Sequence, residues 1–178
     1  MKVLILTGSP HPRGTTSFLA DEFSAGAQEA GHEIVRFETA KMDIHPCIGC
    51  LYCREHDGRC VYDDDMSEIY PHLLTADALV LVTPLYYFNI SSQLKCAVDR
   101  FFAVNPVLRE MPKILYLISA GHDTDAWAMD TLKANFHALC HYLHWQEGGM
   151  VLALGTDNRK EAENSEYQAM ARKLGSDI

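Results

Sequence analysis

Four cysteines fall within fourteen residues, Cys47, Cys50, Cys53 and Cys60, in the spacing C-x2-C-x2-C-x6-C. Thiolates two residues apart can each take one corner of a [4Fe–4S] cubane, and the fourth can arrive after a turn at Gly58. Gly49 relieves crowding in the first turn. The same four thiols also suit a tetrahedral zinc ion, a redox-active thiol pair or disulfide, or a relic that holds no metal. Met1–Leu6 is a very short apolar run without the features of a secretion signal. The sequence therefore reads as a cytoplasmic protein, in which clustered cysteines bind metal or do redox chemistry more often than they form a disulfide scaffold. Cys96 and Cys140 lie among apolar helical positions and are expected in the core.

Two further segments concentrate polar or aromatic groups. Gly8-Ser9-Pro10-His11-Pro12-Arg13-Gly14-Thr15-Thr16-Ser17 follows an apolar run and leads into a helical pattern. Backbone N–H groups at such a helix start face outward and favour an anion. The hydroxyls of Ser9, Thr15, Thr16 and Ser17, with Arg13 or His11 as cation, make this a phosphate cradle. It lacks the Gly-Lys-Ser/Thr of a P-loop and the third glycine of a dinucleotide fingerprint. The plainer alternative is a turn that merely caps the helix. The second segment, Thr83-Pro84-Leu85-Tyr86-Tyr87-Phe88-Asn89-Ile90-Ser91, sets three aromatics where turn residues are usual. A flat heteroaromatic ligand explains them by stacking, and ordinary core or dimer contacts are the alternative. Together the two segments suit a phosphorylated planar cofactor.

These segments need elements to hold them. Val3–Leu6, Glu33–Phe37, Ala78–Val82, Ile114–Ile118 and Met150–Leu154 read as short buried strands. Between them run helical stripes: Leu19, Phe23, Ala27; then Leu94, Val98, Phe101, Phe102; then Leu132, Phe136, Leu139, Cys140, Leu143. Asp65-Met66-Ser67-Glu68 reads as a capping box, and Ser165-x-x-Gln168 caps a last helix. Pro71 should shorten or kink the helix it falls in. Strands alternating with helices predict an α/β fold: a flavodoxin-like three-layer sandwich, a five-stranded parallel sheet in order 2-1-3-4-5 with helices on both faces. The whole chain, 1–178, reads as one domain with a cysteine-rich loop at about 39–65. Ligands of such sheets bind beyond the carboxyl ends of the strands. The loops after strands 1, 3 and 4 meet there, the last of them carrying Ser119, Gly121 and His122.

The run Gly8-Ser9-Pro10…Gly14-Thr15-Thr16-Ser17, Asp64-Asp65-Met66, Ala76-Asp77…Thr83-Pro84-Leu85-Tyr86…Ser91…Lys95…Asp99-Arg100 resembles the NADPH-dependent FMN reductase family. Within it, the cysteine loop is most similar to that of the iron–sulfur flavoproteins. The resemblance covers roughly residues 1–120 and implies FMN as cofactor. It implies phosphate contacts from Ser9, Thr15, Thr16 and Ser17. It further implies a flavin wall from Pro84, Leu85, Tyr86 and Phe88, with Tyr87 and Asn89 in the same loop, and an opposite edge at Ser119 and Gly121. His11 stands where the family often has Arg, and Thr15 where Asn is commoner. Homodimers or homotetramers that complete the flavin pocket are also implied.

Lys95, Asp99 and Arg100 read as a salt-bridge set on a helix surface. His137, His141 and His144 read as a solvated helix face. Asp63-Asp64-Asp65 reads as favourable charge at a helix start. The formal charge of −9, from 15 Lys+Arg and 24 Asp+Glu, without a basic block, argues against nucleic acid and anionic membranes. The expected function is an FMN-dependent oxidoreductase that carries electrons from NAD(P)H to a quinone, flavin or other small acceptor. The alternatives are an electron carrier with FMN and a [4Fe–4S] cluster, reduced by ferredoxin, and a binding module without turnover.

Overall fold

In a computed structural model that describes all residues from Met1 to Ile178, the apolar runs form β1 (Lys2–Thr7), β2 (Glu33–Glu38), β3 (Ala78–Pro84), β4 (Ile114–Ala120) and β5 (Gln146–Ala153). All pairings are parallel and the order is β2-β1-β3-β4-β5. The order and five-strand count match the sequence expectation. Successive strand residues point to opposite faces. Leu4, Leu6, Leu79, Leu81, Leu115 and Leu117 therefore build one core layer, and Val3, Ile5, Val80, Val82 and Ile118 the other.

The second layer is covered by α1 (Thr15–Glu29) and α8 (Glu166–Ser176). These two helices touch backbone to backbone, because a Cβ at Gly26 would strike the Arg172 carbonyl and one at Gly175 the Phe23 carbonyl. The first layer is covered by α3 (Met66–Thr75), α4 (Ser92–Asp99) and α6 (Asp130–Leu143). Pro71 sits inside α3, which spans only ten residues. Short helices α2 (Tyr52–Glu55), α5 (Asn105–Glu110) and α7 (Arg159–Glu163) were not legible as periodic stripes.

Several local expectations change. β5 begins at Gln146, not Met150, because an edge strand needs no continuous apolar run; the pairing with β4 shifts register at Leu115/Tyr116, opposite Gly148 and Gly149. The capping box at α3 is replaced by another arrangement. The Asp65 carboxylate accepts from Asp43 N at 2.7 Å, and Met66 N donates to Asp64 Oδ1 at 3.2 Å. Ser165 does cap α8, accepting from Tyr167 N at 3.3 Å, while Gln168 reaches Glu22 instead of closing a box. Cys140 is buried and burial pushes its thiol up to about 11, whereas Cys96 is only half-buried. His137, His141 and His144 are all exposed.

The reading of Lys95, Asp99 and Arg100 as one surface set needs correction. Lys95 and Asp99 do pair on the surface of α4. Arg100, one residue on, is 2% exposed and is the largest fully buried side chain. Its Nη1 and Nη2 donate to the two carboxylate oxygens of Asp64 at 2.7 and 3.0 Å. Asp64 is thus more than helix-start charge. It also accepts from His45 N at 3.0 Å, and Arg100 Nη1 donates to the His45 carbonyl at 2.8 Å. With the backbone bond from Asp65 N to the Asp43 carbonyl at 3.1 Å, these contacts pinch both ends of the cysteine loop together.

Burial opposes the charged form of Asp64. Hydrogen bonds from Arg100, His45 N and Met66 N, with the charge of Arg100, outweigh it and hold the carboxyl below its ordinary 3.8. A carboxyl depressed on folding adds stability above its unfolded value and loses it as pH falls through its folded value. Asp64→Asn should therefore destabilise the protein by about 3 kcal/mol at pH 7, since it leaves Arg100 buried without its counter-ion. Urea unfolding at a series of pH values should show this deficit shrinking below the ordinary Asp pKa of 3.8. A deficit that stays constant down to acid pH would exclude the pair as its source.

Candidate active site

The carboxyl ends of β1, β3, β4 and β5 open into a cleft of about 680 Å³. This is within the usual range for small-ligand sites. The connecting loops are stitched to each other. Gly8 N donates to the Val82 carbonyl at 2.8 Å, Leu85 N to the Ala120 carbonyl at 2.8 Å, and Gly121 N to the Ala153 carbonyl at 2.9 Å. Thr156 N returns to the Gly121 carbonyl at 3.0 Å. Ser91 locks the first loop to α4: its Oγ donates to the Gly8 carbonyl at 2.7 Å and accepts from Leu94 N at 3.4 Å.

One wall of the cleft is the start of α1. Gly14 is its N-cap, no side chain caps it, and its first turn has no acidic residue. The first N–H groups of a helix have no partner inside it. Thr15 and Thr16 are buried there and line the cleft with Ser9, His11, Arg13 and Gly14. Pro84, Leu85 and Tyr86 form a second wall, and Gly121 and His122 a third. His122 Nδ1 is hydrogen-bonded to Asp157 Oδ1 across the rim.

Five residues singled out in the sequence lie outside this cleft. Ser17 is buried with its hydroxyl turned to Arg36 Nη2, which donates to it at 2.8 Å. Ser119 is fully buried in β4, and its Oγ has no hydrogen-bond partner. Tyr87, Phe88 and Asn89 belong to a tight reversal closed by Tyr86 N to the Asn89 carbonyl at 3.0 Å and Asn89 N to the Tyr86 carbonyl at 3.1 Å. Its central residues have φ of 47° at Tyr87 and 66° at Phe88, a region that non-glycine residues enter at a cost. The reversal holds Tyr87 97% exposed and sets Phe88 against Trp127, ring centroids 5.1 Å apart.

Sequence reasoning missed the fourth wall, Thr156-Asp157-Asn158-Arg159-Lys160. Arg159 lies 5.0 Å over the Phe18 ring in the first turn of α1, and its Nε donates to Glu163 at 2.6 Å. This brings two more cations to the cleft of an acidic protein. The only sequence signal was position: the segment follows the last strand, so it must sit at the same sheet end.

The four cysteines of the 39–65 loop line one separate pocket, together with Ile48, Leu51, Val61, Phe102 and Arg100. No three Cys, His, Asp or Glu side chains converge on a point where one ion would be bound.

A model of the NADPH-dependent FMN reductase family matches residues 1–157. The chain belongs to this family. An iron–sulfur flavoprotein of Methanocaldococcus jannaschii is 39% identical over 100 residues, 56% of this chain and 51% of that protein. The chain spans about half the length of the iron–sulfur flavoproteins it matches. Among solved structures, an NAD(P)H:quinone oxidoreductase from Methanothermobacter marburgensis superposes with TM-score 0.76 at 18% identity, over 99% of this chain and 95% of that one. An FMN-dependent NADH-azoreductase from Bacillus anthracis, in complex with FMN, gives TM-score 0.70 at 18% identity, over 99% of each chain. At that identity these structures establish the shared fold. No helix is long and apolar enough to cross a membrane.

The stitching makes a prediction independent of any ligand. A Cβ at Gly8 would lie 2.5 Å from Leu94 Cβ and closer still to Ser91 Oγ. Gly8→Ala should cost about 1–3 kcal/mol, read as a lower urea midpoint. An unchanged midpoint would mean that the loop and α4 are not packed this tightly.

Proposed function

We propose that the cleft holds FMN and that the protein is an oxidoreductase taking electrons from NAD(P)H and delivering them to a quinone, a flavin or another small acceptor. The observation that carries this reading is the buried, uncapped start of α1 facing the cleft. Such a helix end has N–H donors and a favourable dipole but no anion of its own. The family to which the chain belongs supports FMN as the occupant.

Bound FMN would supply hydride acceptance and electron release. The chain's own residues bind and orient. Ser9, Thr15 and Thr16 offer hydroxyls to the phosphate, with His11, Arg13 and Gly14 beside them and Arg159 opposite. Pro84, Leu85 and Tyr86 offer an apolar and aromatic face to a ring, while Gly121 leaves room at its other edge. His122, fixed by Asp157, stands at the rim as a polar contact. Tyr87 and Phe88, with Trp127, form an exposed aromatic surface beside the cleft that suits a second copy of the chain in a homodimer or homotetramer. Asn89 shapes the turn that presents it. Ser17 and Ser119 support the walls from behind.

The cysteine pocket supports a second reading, an electron carrier with FMN and a [4Fe–4S] cluster reduced by ferredoxin. Cys47, Cys50, Cys53 and Cys60 share one pocket. A zinc ion with bonds of about 2.3 Å needs its sulfurs roughly 3.8 Å apart. A cluster brings its own iron and sulfide and spaces the thiolates more widely. The two occupants thus ask for different sulfur spacings, and the cluster reading is supported by the C-x2-C-x2-C-x6-C spacing and by the iron–sulfur flavoproteins among the relatives.

Steady-state NAD(P)H oxidation with a quinone, compared with reduction by a ferredoxin, separates the two readings. Rapid NAD(P)H turnover is expected. Its absence, with fast reduction by ferredoxin, would favour the carrier. The phosphate site has its own test, because riboflavin lacks the phosphate. Arg159→Leu and Thr16→Val should each weaken FMN binding about tenfold and leave riboflavin binding unchanged. Ser17→Ala should change neither affinity. Equal losses for both flavins would mean that these residues do not contact the phosphate.

A further inference from the structure

Arg100 lines the cysteine pocket with two of its five N–H donors unused, the one on Nε and the second on Nη2. A guanidinium has five N–H donors in a fixed plane. Nη1 serves Asp64 and the His45 carbonyl, and Nη2 serves Asp64. Nε is buried and has no hydrogen-bond partner. Leaving a buried charged donor unpaired costs more than a neutral one, and native structures seldom tolerate it without a reason. Arg100 lines the same pocket as Cys47, Cys50, Cys53 and Cys60, whose other walls are largely apolar. The guanidinium is fixed on its other sides, bidentate to Asp64 and 5.3 Å over the Tyr62 ring, which itself stacks on His45. Arg100 cannot swing away without breaking the neck of the loop.

The electrostatics agree with this placement. Burial disfavours the charged guanidinium, but the hydrogen bonds to Asp64 outweigh it, so the pKa of Arg100 is raised. The pair Asp64–Arg100 is neutral as a unit, and Nε is the guanidinium nitrogen left without any partner.

We infer that Arg100 Nε–H is a hydrogen-bond donor to the anionic sulfur of a cluster held by Cys47, Cys50, Cys53 and Cys60. This rests on the cluster reading given above. Asp64 is the positioning residue: it takes the Nη edge and leaves Nε for sulfur. One-electron reduction makes the cluster more negative by one charge. A hydrogen bond and a positive charge beside its sulfurs stabilise that reduced state and raise the reduction potential. The pocket thus tunes the cluster as well as holding it.

The test uses the full chain reconstituted anaerobically with ferrous iron and sulfide, then reduced stepwise with dithionite and followed by electron paramagnetic resonance. Arg100→Lys keeps a cation for Asp64 but has no donor at the Nε position. It should lower the cluster potential by an amount equivalent to about tenfold in the oxidation equilibrium, about 59 mV for one electron. Iron content and thermal midpoint show whether the variant is folded and loaded. A wild-type measurement avoids the variant altogether. Protein labelled with ¹⁵N only in the arginine guanidinium should show a ¹⁵N hyperfine coupling to the reduced cluster, and the coupling should persist in Arg54→Lys, which removes the guanidinium stacked on Phe102. A loaded wild-type cluster without that coupling, or an unshifted potential in folded Arg100→Lys, overturns the inference alone. A wild-type chain that binds no iron and sulfide overturns the cluster reading and this inference with it.

Discussion

The buried ion pair between Asp64 and Arg100 is the constraint on which the unusual part of this chain depends. The segment from Asp43 to Asp65 contains one single-turn helix and no strand. A segment of this kind has little apolar surface to offset the entropy of ordering it. Its order comes from its neck. Asp64 takes two guanidinium bonds and two backbone N–H bonds, and Arg100 ties the entering strand through the His45 carbonyl. Desolvating two charges is costly, and it is repaid only when nearly every lone pair and proton is matched. Here the carboxylate is fully matched, and the arginine makes three bonds with both Nη nitrogens engaged and Nε without a partner. The pair is therefore better understood as a device that fixes one loop geometry than as a source of net stability.

The cleft depends on a different constraint, the parallel sheet. Because every strand runs the same way, all the strand-to-helix loops emerge at one end. Bonds such as Leu85 N to the Ala120 carbonyl and Gly121 N to the Ala153 carbonyl extend the ladder past the strands and hold those loops against each other. The net charge of −9 is no obstacle to an anion there. Arg13, Arg159 and Lys160 gather at this end, beside a helix start that has no acidic residue in its first turn. Local charge, not total charge, decides what such a cleft accepts.

The parts of this architecture that repeat were legible in the sequence. Short apolar runs separated by helical stripes gave the strands, and right-handed crossovers left the order 2-1-3-4-5 as the favoured topology. Two kinds of feature were not legible. The first is long-range pairing of polar residues. Asp64 and Arg100 are 36 residues apart, and a charged residue is exposed so often that its burial has no local signature. Arg100 was assigned to the surface beside Lys95 and Asp99 for that reason. The second is side-chain direction within a loop. Ser17 and Ser119 have the right chemistry at the right sheet end, yet Ser17 faces Arg36 and Ser119 is sealed in β4. Tyr87 and Phe88 are carried outward by a reversal with positive φ, which no composition rule for aromatic residues anticipates. The Thr156–Lys160 wall was missed because it contains neither an apolar period nor a glycine-rich cradle.

One element joins the two regions. α4 begins at the cleft, where Ser91 caps it and grips the Gly8 carbonyl, and it ends at Asp99, directly before Arg100 and the cysteine pocket. The nine steps from Ser91 to Arg100 at about 1.5 Å each put roughly 14 Å between these ends. The helix is anchored in the core by Leu94, Ala97 and Val98. Both regions are thus referred to one rigid body, and their separation does not depend on the path of the cysteine loop. If electrons pass between the two regions of one chain, the distance they cross is set by how α4 packs into the core through Leu94, Ala97 and Val98.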